Sequence, residues 1–143
     1  MTAPTSPAHQ PAAIASDAGD ALILVLNCGS SSIKFAVFNA SHGEPQRTPL
    51  WSGKVQGIGG PTPAFDESGL GADGQPFQHK QAITLDAEHP HTASLTLIRE
   101  RVVARLAGRH IVAVAHRVVH GGGKYEQPVR VTPQVVADLR SYI

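Results

Sequence analysis

Residues 22–39 read LILVLNCGSSSIKFAVFN, two β-type apolar runs separated by a glycine and three serines, with a lysine just beyond. Leu22 to Leu26 is a short continuous apolar run, the pattern of a strand covered on both faces. In Ile33 to Phe38 the side chains alternate, so Ile33, Phe35 and Val37 share one face and Lys34, Ala36 and Phe38 the other. The link Asn27 to Ser32 is short enough to make the pair an antiparallel hairpin. The fold therefore starts with a hairpin whose bend is rich in hydrogen-bond donors.

Working outward, Leu50 to Ile58 reads as a third strand, broken by Gly59 to Pro63. Ala64 to Leu85 places GLGADG between weakly alternating arms and reads as a surface hairpin. From His91 to Ala107, Leu95, Ile98, Val102 and Leu106 recur at helical spacing, with Gly108 in the place of a C-terminal cap. Ile111 to Val119 is β-branched and reads as a strand. Pro128 to Val131 is a short extended piece. Thr132 then caps a helix that has Pro133 at its first position and Val136, Leu139 and Ile143 along one face. Three antiparallel strands, a hairpin and a helical crossover give an α/β domain with a mixed sheet, because a crossover helix returns its strand parallel to a neighbour.

Composition narrows the function. The 143 residues are 41% hydrophobic and 16% charged, enough for one domain with a core. Twelve basic against 11 acidic residues give a net charge of +1, without the basic footprint of a nucleic-acid binder. The longest apolar stretch, Ala21 to Leu26, is far short of the ~20 residues of a membrane span. Residues 1–20, rich in Ala, Pro and Ser, have neither the basic nor the apolar segment of a secretion signal and are expected to be a disordered tail. One cysteine, Cys28, excludes a disulfide framework, so the expected compartment is the cytoplasm.

The bend has the chemistry of a phosphate cradle. It is not a Walker P-loop, since Ile33 and Phe35 stand where that motif needs glycine and a hydroxyl, and a strand follows instead of a helix. Backbone N–H groups in a tight turn can nevertheless bind an anion. Gly29 permits close approach, the serine hydroxyls add donors, and Lys34 adds a compact charge. Asn27 offers a carbonyl oxygen to a hard cation. An ordinary turn with solvated serines competes with this reading. For Cys28 no local base supports a nucleophile, and a small turn residue is the simpler account.

The second constellation is VAVAHRVVHGGGKY, residues 112–125. His116 and His120 have zinc-pair spacing for a helix, but on a strand they stand roughly 13 Å apart, too far for one metal. Regular alternation puts Arg117 and Val119 on one face, a guanidinium fork beside an apolar wall, which suits a small carboxylate with a short alkyl tail. A salt-bridged edge arginine is the competing reading. Lys124 and Tyr125 read as surface residues.

NCGSSSIKF (27–35) followed by AHRVVHGGG (115–123) resembles the acetate kinase family of acyl-phosphate-forming kinases, over about Leu22 to Ile143. The resemblance implies the ribonuclease-H-like fold of actin-type ATPases, in which two related α/β domains enclose a cleft. It implies that acetate and ATP give acetyl phosphate and ADP, reversibly, with magnesium, in a homodimer. By position it makes Asn27 a magnesium-site residue. It puts Gly29, Ser30, Ser32 and Lys34 on the phosphate side, Arg117 on the substrate carboxylate and Val119 in the methyl-pocket wall. The catalytic aspartate, a second substrate arginine and the adenosine-binding domain are expected beyond Ile143. Residues 21–143 are thus expected to be a first domain, inactive alone. Propionate or butyrate kinase, or a non-catalytic anion-binding module of the same fold, are the alternatives.

Overall fold

The computed structural model describes residues 20–118 and 122–142. Residues 1–19 of the expected N-terminal tail, Val119, His120, Gly121 and Ile143 fall outside these residues, whereas Asp20, placed in the tail, is described and its carbonyl accepts from the His110 N–H at 2.7 Å. Among the described residues six strands and two helices follow in the order β1 (Ala21–Cys28), β2 (Ser32–Asn39), β3 (Trp51–Gln56), β4 (Ala64–Leu70), β5 (Pro76–Ala82), α1 (Pro90–Ala104), β6 (His110–Arg117) and α2 (Pro133–Arg140). They build one sheet of order β5-β4-β3-β2-β1-β6. The first five strands pair antiparallel, and β6 joins β1 in parallel after the α1 crossover. This is the expected mixed α/β sheet.

The alternation in β2 decides which face carries the core. Ile33, Phe35 and Val37 are buried and meet Leu22, Leu26, Trp51, Val55 and Phe65 in one cluster. Helix α1 closes this cluster with Ile98 and Val102, while Ser94 on the same stripe turns its hydroxyl onto the Pro90 carbonyl at 2.7 Å. Leu95, expected to face the core, is exposed, because the stripe that meets the sheet runs through 94, 98 and 102. Only one face of β1 is packed in this way among the described residues. Ile23 and Val25 on the other face stay half-buried, contrary to the reading of Leu22–Leu26 as covered on both sides.

Gly53 lies in the core row between Phe35 and Glu67. A Cβ there would stand 2.3 Å from the Asp66 carbonyl oxygen and 2.7 Å from the Phe35 ring. The missing side chain lets Phe35 lie across β3 and stack on Phe65, with centroids 6.2 Å apart and planes 9° from parallel. Beside them Glu67, its side chain fully buried, accepts bonds from Arg105 Nη2 at 2.6 Å and Nε at 3.0 Å. Arg105 also lies 3.6 Å over the Phe77 ring, so one guanidinium ties the end of α1 to both β4 and β5.

Helix α1 stops at Ala104, with Arg105 as its cap, earlier than Gly108 suggested. Ala107 and Gly108, at φ 50° and 85°, instead form the left-handed part of the turn into β6. Thr132 caps α2 as expected, its Oγ1 accepting from the Val135 N–H at 3.3 Å. Val135 is the buried residue of that helix, with Val136 and Leu139 half-buried. Residues 128–131 form no strand.

Candidate functional site

The hairpin bend is closed by the Gly29 N–H donating to the Ser32 carbonyl at 2.8 Å. A Cβ on Gly29 would stand 3.1 Å from that same oxygen, so the turn itself accounts for the glycine. Two further contacts fix the bend: His91 Nε2, from the first turn of α1, lies 3.0 Å from the Gly29 carbonyl oxygen, and the Ile58 N–H donates to the Ser31 carbonyl at 3.0 Å. Sequence reasoning assigned no role to His91, because nothing local shows that the helix N-terminus stands against this turn. Ser30 is exposed and Ser32 half-buried.

Register places the remaining site residues. Asn27 of β1 is opposite Lys34 of β2 on one side and Arg117 of β6 on the other. Residues opposite one another in a ladder point to the same face. Asn27, Lys34 and Arg117 therefore form one row across three adjacent strands, on the face away from the core. They lie at the carboxyl ends of β1 and β6, the end at which open α/β sheets hold ligands. All three are exposed, and none of their side chains has a hydrogen-bond or ion-pair partner among the described residues. The row continues through Lys54 of β3, Asp66 of β4 and Lys80 of β5. These three were missed in the sequence. The signal for Lys54 was its alternation with Trp51 and Val55, which has meaning only once β3 is placed beside β2.

Two cations separated by an amide form a surface for anions. A carboxylate can lie on the Arg117 fork in bidentate fashion, while Lys34 acts as a point charge one strand beyond Asn27. The amide of Asn27 can donate its N–H to an anion or offer its oxygen to a cation. These residues alone supply no anionic oxygen to a magnesium ion, which is usually held by waters, one or two carboxylates and substrate phosphates, and Asn27 has a cation on either side. Among the described residues no group of three His, Cys, Asp or Glu side chains is placed to hold a metal. His116 sits on the opposite face of β6 from Arg117, and His120 lies outside the described residues, as does Val119.

Cys28 is exposed, and partial desolvation pushes its thiol up from the ordinary value, which favours the protonated, unreactive form. Two concave spaces lie elsewhere. One cleft of about 270 Å³ runs between Gly59–Pro63 and Ile83–Pro90, and another of about 440 Å³ lies between the β4–β5 turn and the end of α1. The second contains Arg105 and Arg109, but both guanidinia are engaged: Arg105 by Glu67, and Arg109 by the carbonyls of Leu106 and Arg105 at 2.9 Å. The second cleft therefore offers no free guanidinium to an anion.

Beyond β6, Lys124 and Tyr125 are more than surface residues. Asp138 of α2 accepts from Lys124 Nζ and Tyr125 Oη at 2.5 Å each and from Gln134 Nε2 at 2.8 Å. These donors hold its carboxyl down at about 2, and their hydrogen bonds to the Asp138 carboxylate raise Lys124 and Tyr125. The clasp ties residues 124–125 to α2.

Comparison with known proteins matches residues 22–143 to the acetokinase family. The chain is 34% identical over 124 residues to an acetate kinase of Proteus mirabilis, covering 85% of this chain and 28% of that protein. It is 36% identical over 121 residues to one of Rhodopseudomonas palustris, covering 85% and 29%. The crystal structure of Porphyromonas gingivalis acetate kinase superposes with a TM-score of 0.56 at 29% identity, over 85% of this chain and 29% of that one. A propionate kinase from Francisella tularensis shares the fold, with a TM-score of 0.59 at 24% identity over 85% of this chain and 28% of that one. The chain thus spans under a third of the length of these relatives.

Proposed function

The chain belongs to the acetokinase family, and from that premise we propose that its cationic row serves phosphoryl transfer between ATP and acetate. The observation that supports this reading is the register that aligns Lys34, Asn27 and Arg117 on one exposed face. Arg117 holds the acetate carboxylate, and Lys34 with the Gly29–Ser32 bend holds the phosphates. An acetate oxygen attacks the γ-phosphorus, the bond from that phosphorus to the β-bridging oxygen breaks, and ADP leaves with the electron pair. Acetyl phosphate forms, and the same atoms run the reaction in reverse.

Two anions must meet in this step, so positioning and charge neutralisation are the main contribution of these side chains. A general base has no task, since a carboxylate with a pKa near 4 to 5 is ionised at neutral pH. Asn27 lies between the two cations, where its amide N–H can donate to a phosphoryl oxygen. Magnesium, where it takes part, draws its anionic ligands from the nucleotide or from groups other than this row. Residues 21–143 would then act as one domain of a larger kinase, with the 143 residues inactive by themselves.

The test is a titration of the 143-residue chain with acetyl phosphate, followed residue by residue in 15N NMR spectra, together with a turnover assay. Shifts are expected to converge on 27, 34 and 117, to vanish in Arg117→Ala, and to occur without turnover. Shifts that map to the 440 Å³ cleft instead would refute the assignment. Acetyl phosphate made by the chain alone would refute its proposed inactivity.

A further inference from the structure

We infer that Lys54 extends the anion row and contacts the phosphoryl groups furthest from the acyl acceptor, so that this chain binds polyphosphates in preference to a single phosphoryl group. The inference rests on the proposed function above and adds a residue to its site. Lys54 is directly opposite Lys34 in the antiparallel β2–β3 ladder. Like charges in that position are about 5 Å apart at Cβ and destabilise a sheet. Lys34 has no compensating group among the described residues. Lys54 has one carboxylate, Asp66, at 3.7 Å, with both side chains partly exposed. From β6 to β3 the row therefore runs cation, amide, cation, cation, and its first negative charge comes only at β4. An anion lying along the row relieves the repulsion that the register imposes.

Dimensions and shape agree. Strands lie about 4.8 Å apart, so Arg117 and Lys54 are separated by roughly 14 Å at the backbone, and lysine stems shorten the gap to any bound anion. A carboxylate followed in line by a chain of phosphoryl groups is a rod with negative charge distributed along it. A single acetyl phosphate would occupy only the Arg117 to Lys34 end. The adjoining row on the same face is Ala115, Val25, Ala36, Ser52 and Ser68, none of which is long enough to overhang the cations. Among the described residues this flank of the row is therefore open; on the other flank, through Ser32, Gln56 and Ala64, Gln56 is the longest side chain.

Inorganic tripolyphosphate and acetyl phosphate serve as probes, titrated at low ionic strength into the 143-residue chain and its variants. One unit charge at about 5 Å in water corresponds to roughly a three- to tenfold change in affinity, which is the weakening expected for tripolyphosphate in Lys54→Met. Acetyl phosphate affinity should fall by a smaller factor than tripolyphosphate affinity in that variant, since Lys54 stands one strand beyond Lys34, the cation at the phosphoryl end. Lys34→Met should weaken both probes, and Lys80→Met neither. Asp66→Asn, which frees Lys54, should tighten tripolyphosphate binding. Tripolyphosphate binding unaltered in both Lys54→Met and Asp66→Asn overturns the inference alone, provided Arg117→Ala still weakens acetyl phosphate. Failure of the unaltered chain to bind either probe overturns the inference and the proposed function together.

Discussion

Replacing Arg105 by methionine isolates the one ion pair that, among the described residues, joins the end of helix α1 to the β4 strand. Glu67 is left with a side chain of 0% exposure and no cation, having lost bonds of 2.6 and 3.0 Å to the same Oε1 atom. Its other oxygen, Oε2, has no partner among the described residues, so no second bond shares the burden. Breaking a buried pair on one side costs about 3–5 kcal/mol. The Arg105 side chain is itself 30% exposed, which screens the pair and places the expectation near the lower bound, about 3 kcal/mol. Loss of the guanidinium from above Phe77, 3.6 Å from the ring centroid, adds roughly 0.5–1 kcal/mol. Against a net stability of about 5–15 kcal/mol for a domain, this is a large fraction. Urea denaturation followed by Trp51 fluorescence measures it as a shift in midpoint at constant slope. The Glu67→Met, Arg105→Met double variant should recover most of the loss, because it removes the stranded charge and not only its partner. A single-variant loss under about 1 kcal/mol, or a double variant no better than the single, would refute the account of Glu67 as a buried carboxylate dependent on Arg105.

Two further outcomes follow from the same geometry. Gly53→Ala should destabilise by about 3 kcal/mol or prevent folding, since its Cβ meets backbone at 2.3 Å, whereas Gly43→Ala, with φ of 88° and nothing within 4 Å, should cost about 1–2 kcal/mol; equal losses at the two sites in urea denaturation would contradict the close-approach argument. The Asp138 clasp should depend on pH at both extremes. Its carboxyl sits at about 2 instead of 3.8, so its contribution is complete above the ordinary value and is lost as the pH falls toward 2. Lys124 and Tyr125, both raised, contribute below their ordinary values and lose that contribution as the pH rises through their raised values in the folded chain. Carboxyl-carbon NMR of Asp138 checks the acid limb, and titration near 3.8 would show that the three donors do not act on it.

Much of the architecture was legible because its determinants are local. The period of two in Ile33–Phe38, the proline after Thr132 and the glycine-rich centre of the β4–β5 hairpin each fix backbone conformation within a few residues. From such signals the sequence determined the hairpin, the crossover helix, the parallel return of β6 and the division of β2 into two faces; which of these is buried came from the fold. Its two motifs also pointed to the family that the comparison found over residues 22–143.

Tertiary structure alone decided which residues stand side by side. Strand register is set by packing between segments far apart in the chain, and a one-residue slip would carry Asn27, Lys34 and Arg117 to different faces. Hence the full row through Lys54, Asp66 and Lys80, the burial of Glu67 against Arg105, and the seating of His91 on the Gly29 turn could not be read from periodicity. Periodicity specifies the face on which a side chain emerges; only the folded sheet brings charges from separate strands close enough to act on one anion.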